Sequence, residues 1–185
     1  MIETLRLIDI SVFHFINGSL ANPVFDVVCS VLRGKPFLAI FYSAVAVRLF
    51  QLYPKLFVRL AIAGAATFFL TDQISSHLIK HFFHRIRPCN NPDIGARLVI
   101  EHCGSGFSFV SAHAANSFGM AAFLILVTSS KWRTTILLIA WASLVSFSQV
   151  YVGVHFPADV IGGALLGIFI GTTSALLSKK FFIDV

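Results

Sequence analysis

The sequence predicts an all-α fold: a polytopic membrane bundle of five to six transmembrane helices, with an N-terminal interfacial helix or helices, in a single domain over residues 1–185. Three observations lead there. Hydrophobic residues make up 57% of the chain and mean hydropathy is +0.85. Charged residues reach only 12%, against roughly 25% in soluble domains. Five apolar stretches approach or exceed the ~20 residues a helix needs to cross the hydrocarbon core. A soluble domain of this length has too little interior to hide such a load, so the bilayer has to act as solvent.

Taken in order, residues 1–34 form an N-terminal region and residues 35–185 a core bundle. Met1–Asp9 mixes Glu3, Arg6 and Asp9 with leucines and is followed by no small-residue cleavage site, so no signal peptide is expected. Ile10–Leu32 is apolar but interrupted by Asn17, Gly18, Asn22, Pro23 and Asp26. It reads as a pair of interfacial helices or as a poor sixth span, the pair being favoured. The spans are Phe37–Tyr53, Leu56–Ile79, Phe109–Ser130, Thr134–Val154 and Val160–Ser178. Arg48, Arg59 and Asp72 fall near span ends, where long side chains reach the interface. Arg85–Gly106 contains Pro88, Pro92, Gly95, Gly104 and Gly106 and is expected to be an extramembrane loop.

Alternating spans bring the end of span two, the start of span three, the end of span four and the start of span five to one membrane face. The polar residues concentrate there. If the chain is helical from Lys80 to Arg87, these two cations lie two turns apart on one face, with Pro88 ending the helix near Arg87. Such a pair suits a phosphate, or else anchors the helix among headgroups. Ser111, Ala112 and His113 open span three, where unpaired backbone N–H groups attract anions and His113 can act as a general acid. The plainer reading is a capping serine and a histidine bonded between helices. His155 and Asp159 are one helical turn apart. A carboxylate on one ring nitrogen fixes the tautomer and leaves the other as a nucleophile; a structural His–Asp bond is the alternative. A metal site on His81, His84 and His102 is the chemical rival, but no carboxylate pair or compact His/Cys spacing supports it. A haem site on His77, His113 or His155 is a further rival. Neither rival is the favoured reading, and no metal or cofactor is expected. No basic run interleaves with aromatics, so no nucleic-acid partner is expected despite the net charge of +6.

Together the three segments resemble the motifs of the type 2 phosphatidic acid phosphatase family, which shares its site with vanadium haloperoxidases. That pattern reads Lys-x6-Arg-Pro, then Pro-Ser-Gly-His, then Ser-Arg-x5-His-x3-Asp. Here it is Lys80-x6-Arg87-Pro88, then Val110-Ser111-Ala112-His113, then Ser148-Gln149-x5-His155-x3-Asp159. The resemblance implies a helical membrane enzyme that hydrolyses a lipid phosphate or diphosphate without metal, through a phosphohistidine. It implies that His155 attacks phosphorus, Asp159 orients it, and His113 protonates the leaving oxygen. Lys80, Arg87 and Ser111 then hold the phosphate, with Ala112 and Gln149 at the remaining binding positions. The implied partners are the bilayer and a phospholipid or isoprenoid-phosphate substrate. Undecaprenyl diphosphate is the favoured substrate. Lipid A phosphate, phosphatidylglycerophosphate or phosphatidate are alternatives, as are a lipid phosphotransferase and a degenerate member that only binds lipid phosphate.

Val110, Ala112 and Gln149 depart from the family pattern, and Gln149 is the serious departure. A neutral amide supplies neither the charge nor the fork of an arginine. Arg85 or Arg97, beside the proposed site, are the expected substitutes.

Arg48, Lys55, Arg59, Lys131, Arg133, Lys179 and Lys180 lie on the face opposite the motifs. The positive-inside bias puts that face in the cytoplasm, although Arg33 and Lys35 weaken it. The expected location is the bacterial inner (cytoplasmic) membrane with the site facing the periplasm or cell exterior. Cys89 and Cys103 flank the polar loop. In an oxidising compartment a disulfide is available to them, two free thiols being the alternative.

Overall fold

The structure, a computed structural model, describes residues 2–181, whose regular elements are all helical, with no strand among them. Helix α1 (Ile2–His14) continues into a π turn, Phe15–Ser19, and α2 (Pro23–Leu32) follows. The two arms meet at 114°, so they do not form one straight span. Five helices make the bundle: α3 (Lys35–Leu52), α4 (Phe57–Phe83), α5 (Ala112–Val127), α6 (Trp132–Tyr151) and α7 (Pro157–Phe181). Four of these are long and apolar enough to cross a membrane, and α5 is a shorter apolar helix of 16 residues.

Each bundle helix corresponds to an expected span with shifted ends. Pro157 begins α7, where its missing N–H is no loss. The largest shift is in α4, which passes through a π-helical stretch, Ile74–Ile79, and stops at Phe83. His84 takes a left-handed conformation, φ 49°, and turns the chain away. A continuous helix to Arg87 is therefore not formed, and Lys80 and Arg87 do not share a helix face.

The core is the seam between α5 and α7. Gly163, Gly167 and Gly171 recur every four residues along α7, and a Cβ on any of them would overlap the α5 backbone at Ser111, Ala115 or Gly119. Small residues at this spacing let two membrane helices approach closely enough for dispersion to hold them. Helix α3 has no buried residue. It leans on α6 through Phe41 stacked on Trp141, with centroids 3.7 Å apart.

The polar loop after α4 is tied to the α6–α7 connection. Cys89 N–H donates to the Gly153 carbonyl at 3.1 Å and Val99 N–H to Val152 at 3.3 Å. Gly153 has φ +90°, and a Cβ there would sit 2.6 Å from the Arg97 carbonyl, so both conformation and space call for glycine. Cys89 and Cys103 are joined as a disulfide.

The polar residues that interrupt the N-terminal region have partners in these loops. Asn17 donates to the Arg97 and Tyr151 carbonyls at 2.8 and 2.7 Å. The Tyr151 hydroxyl donates to Asp26 at 2.6 Å, and Arg97 pairs with the same carboxylate at 2.9 Å. Asn22 caps α2 by accepting from Phe25 N–H at 2.9 Å. Buried Cys29 packs with Tyr151, Val152 and Val154. The α1–α2 arm is thereby docked onto the end of α6.

Gly167→Val is expected to lower stability by about 1–3 kcal/mol or prevent folding through overpacking. Thermal unfolding in detergent checks this against Gly18→Ala, where no atom lies within 4 Å. Replacing Cys89 and Cys103 by serine, which opens a loop of 14 residues' separation, is expected to cost about 3 kcal/mol. Comparison of unfolding under oxidising and reducing conditions reads that loss.

Candidate active site

A cavity of about 560 Å³ opens at the end of the bundle where the motifs meet. His155 stands in the α6–α7 connection at 3% exposure. Its Nδ1 is 3.5 Å from Asp159 Oδ2, one turn into α7, and its Nε2 is 3.3 Å from Arg87 Nη1. The first distance is longer than a full-strength hydrogen bond, yet close enough for the carboxylate to orient the ring electrostatically. Burial pushes the His155 imidazole down to about 4, with Arg87 and Lys80 adding to the shift and Asp159 opposing it. At neutral pH the ring is therefore uncharged and keeps a nitrogen lone pair.

Asp159 has no exposure, and a carboxylate so placed has to be paired. Its Oδ2 accepts from Phe156 N–H at 2.8 Å and its Oδ1 from Arg85 Nη1 at 2.6 Å. The other branch of Arg85 bonds Asp9, whose second oxygen accepts from Ala158 N–H at 2.8 Å. Arg85 also lies 4.1 Å over the Phe156 ring. It therefore stands behind His155 as a support for Asp159, not in the cavity. Arg97 is likewise outside the cavity, bound to Asp26 and 5.2 Å from the Tyr151 ring centre. Neither arginine takes the place expected of it beside Gln149, because both are held by carboxylates on the docked N-terminal arm or α7.

Across from His155 the cavity wall includes Lys80, Arg87, Ala112, His113 and Gln149. Arg87 reaches it from the extended segment after α4 and also donates to the Val154 carbonyl at 3.3 Å. Ala112 and His113 begin α5, whose first N–H groups point toward this end. Ser111 is the N-cap of α5; its N–H donates to the Asp159 carbonyl at 2.9 Å, and its buried Oγ has no partner. Ser111 lies behind the wall that Ala112 and His113 form. Gln149 has no exposure, and its amide nitrogen donates to Val145 O and Ser148 Oγ, both at 3.3 Å.

Four further lining residues were not legible as site residues in the sequence. Arg33 and Lys35 come from the α2–α3 turn, where they read only as charges bearing on topology. Asp72 is well inside α4 and lines the cavity rather than reaching the interface; its Oδ1 accepts from Asn116 at 3.1 Å. Asn116 Oδ1 is buried without a partner. The i, i+3 step from His113 to Asn116 was the available signal for the latter. Among the described residues, no three His, Cys, Asp or Glu side chains converge as a metal site requires.

The arrangement puts a neutral, carboxylate-oriented imidazole, a second imidazole and the cations Arg33, Lys35, Lys80 and Arg87 around one space. That combination can bind a phosphoryl group and exchange protons with its leaving oxygen.

Residues 52–183 match the model of the PAP2 superfamily. The chain is 34% identical over 184 residues to a lipid A 4'-phosphatase of Bacteroides thetaiotaomicron, covering 97% of this chain and 81% of that one. It is 30% identical over 178 residues to a putative undecaprenyl-diphosphatase of Escherichia coli, covering 95% and 83%. The crystal structure of Aquifex aeolicus LpxE matches at a TM-score of 0.68 with 26% identity, covering 89% of this chain and 92% of that one. On this match and its apolar helices, the chain belongs to the PAP2 superfamily and is a multi-pass membrane phosphatase of that type.

Proposed function

We propose that the chain hydrolyses a phosphate monoester on the saccharide headgroup of lipid A, in two displacements through a phosphohistidine at His155. The observation that carries the chemistry is a buried, neutral His155 whose Nε2 faces Arg87 in the cavity shared with Lys80 and His113. In the first step Nε2 forms a bond to phosphorus while the ester P–O bond breaks. His113 gives a proton to the departing sugar oxygen. In the second step water attacks phosphorus, His113 takes its proton, and the N–P bond breaks to release inorganic phosphate. Lys80, Arg87 and the N–H groups opening α5 hold the non-bridging oxygens. Asp159 keeps the His155 ring in place, with Arg85 behind it. No metal enters either step.

Lipid A is preferred over undecaprenyl diphosphate on two grounds. One is the 34% identity to the lipid A 4'-phosphatase over nearly the whole chain. The other is the cavity wall: Asp72 and the unpartnered Asn116 Oδ1 are acceptors. A sugar headgroup brings hydroxyl donors to them, whereas an isoprenyl diphosphate brings none. The Escherichia coli relative supports the diphosphate as the second reading.

The proposed location is the inner membrane with the cavity facing the periplasm. Supporting this, Arg48, Lys55, Arg59, Lys131, Arg133, Lys179 and Lys180 gather at the opposite end. The Cys89–Cys103 disulfide at the cavity end also fits an oxidising compartment.

Purified protein is expected to release phosphate from lipid A at least tenfold faster than from undecaprenyl diphosphate or phosphatidylglycerophosphate. The rate should be unchanged by a chelator and abolished by His155→Ala. Preference for the diphosphate would replace the substrate assigned here. The His155 pKa, lowered below the ordinary 6.5 to about 4, sets a pH expectation. Acidification from about pH 7 to 5.5 leaves a group with that pKa neutral, so single-turnover attack on phosphorus should persist. A loss of that step with a midpoint near 6.5 would contradict the assignment.

A further inference from the structure

We propose that Arg33, delivered by the α1–α2 arm, supplies the guanidinium that this chain lacks at Gln149 and grips the phosphoryl group opposite Arg87. The inference rests on the phosphatase reading of the cavity. It concerns a residue outside the three motifs, on a segment that lies before the family match begins at residue 52.

Four observations converge on Arg33. First, Arg33 lines the cavity together with Lys80, Arg87, His113 and His155. Second, its Nε donates to Gln149 Oε1 at 3.4 Å, a long contact that does not engage Nη1 or Nη2. Gln149 has its own amide nitrogen engaged by Val145 and Ser148, so it serves as an acceptor for Arg33 and not as a donor to substrate. Third, Arg33 has no carboxylate partner among the described residues, whereas Arg85 and Arg97 are each bound to carboxylates. A half-buried cation without a counter-ion is stabilised by an arriving anion. Fourth, Arg33 is near enough to the His113 ring to act on it electrostatically, which places the arginine beside the proposed acid.

The position is built, not incidental. Cys29 is buried against Tyr151, Val152 and Val154, and Arg33 N–H donates to the Cys29 carbonyl at 3.4 Å. The Asp26–Tyr151–Arg97 network pins α2 one turn earlier. Gly34 then closes the turn with its N–H on the Val31 carbonyl at 2.9 Å. The guanidinium thus enters from the N-terminal arm at the place where a motif arginine would enter from α6. A guanidinium fork matches phosphate oxygens from either origin. Gln149 and Arg33 form one unit: a second arginine at 149 would meet Arg33 as a like charge.

This predicts sign epistasis between positions 33 and 149. Arg33→Ala should lower kcat by about 10²–10³-fold, as loss of one preorganised transition-state donor does. Gln149→Arg alone should also lower it. The double variant Arg33→Ala/Gln149→Arg, with space cleared for the new side chain, should recover at least tenfold over Arg33→Ala. Arg33→Gln is measured beside them because it keeps most of the stem. Thermal protection by inorganic phosphate is recorded for every variant as a readout independent of turnover. It should fall in Arg33→Ala and Arg33→Gln and return in the double variant. If the wild type releases no phosphate from any lipid, the functional reading fails, and phosphate protection alone still decides whether Arg33 binds the anion. A folded Arg33→Ala or Arg33→Gln protein with wild-type turnover and protection overturns the proposal. So does a folded double variant no better than Arg33→Ala.

Discussion

Asp159 is a carboxylate without solvent contact at the first turn of a membrane helix, and the polar half of the protein is organised around keeping it paired. Removing one partner from a buried ion pair costs about 3–5 kcal/mol, so its surroundings are constrained. Arg85 is fixed by the need for a counter-charge, and Asp9 by the second branch of that arginine. Asp9 in turn accepts from Ala158 N–H, tying α1 to the start of α7. The remaining oxygen faces His155. The same carboxylate therefore anchors the N-terminal helix, shapes the loop after α4 and sets the attitude of one imidazole.

The packing of α5 against α7 makes this possible. Glycines at every fourth position of α7 bring its backbone against α5, so that Ser111 N–H reaches the Asp159 carbonyl. The start of α5, with His113, is then held in register with the start of α7. Larger residues at the seam would separate the two imidazole-bearing segments without touching either one.

Much of this was legible in the chain. Apolar length gave the bundle helices, and alternating spans placed the three motifs at one end. Chain turns were harder. Nothing local to Lys80–Arg87 distinguishes a helix to Pro88 from one stopped at a left-handed His84, so the two cations were expected on one face. Arg85 and Arg97 were expected near the phosphate because they are close in sequence to it. Tertiary pairing with Asp9, Asp159 and Asp26 took them away. Arg33 was invisible for the opposite reason: 116 residues separate it from Gln149, and only the docking of the N-terminal arm joins them. Asn17, Asn22 and Asp26 looked like interruptions of an apolar segment and are the contacts that make that docking.

The arm and the motif helices thus build the cavity jointly: both contribute cations to its wall, and the buried carboxylate faces Nδ1 of His155, leaving Nε2 toward the cavity. Covalent phosphorylation of His155 is the proposed step on which this chemistry turns. The most direct measurement is rapid quenching of a labelled lipid phosphate reaction under alkaline conditions, followed by mapping of the phosphorylated residue by mass spectrometry. Label is expected on the His155 imidazole, and none when Asp159 is replaced by asparagine and the ring loses its orienting charge. Label on another side chain, or full turnover with no phosphoenzyme under conditions that preserve phosphohistidine, would contradict it.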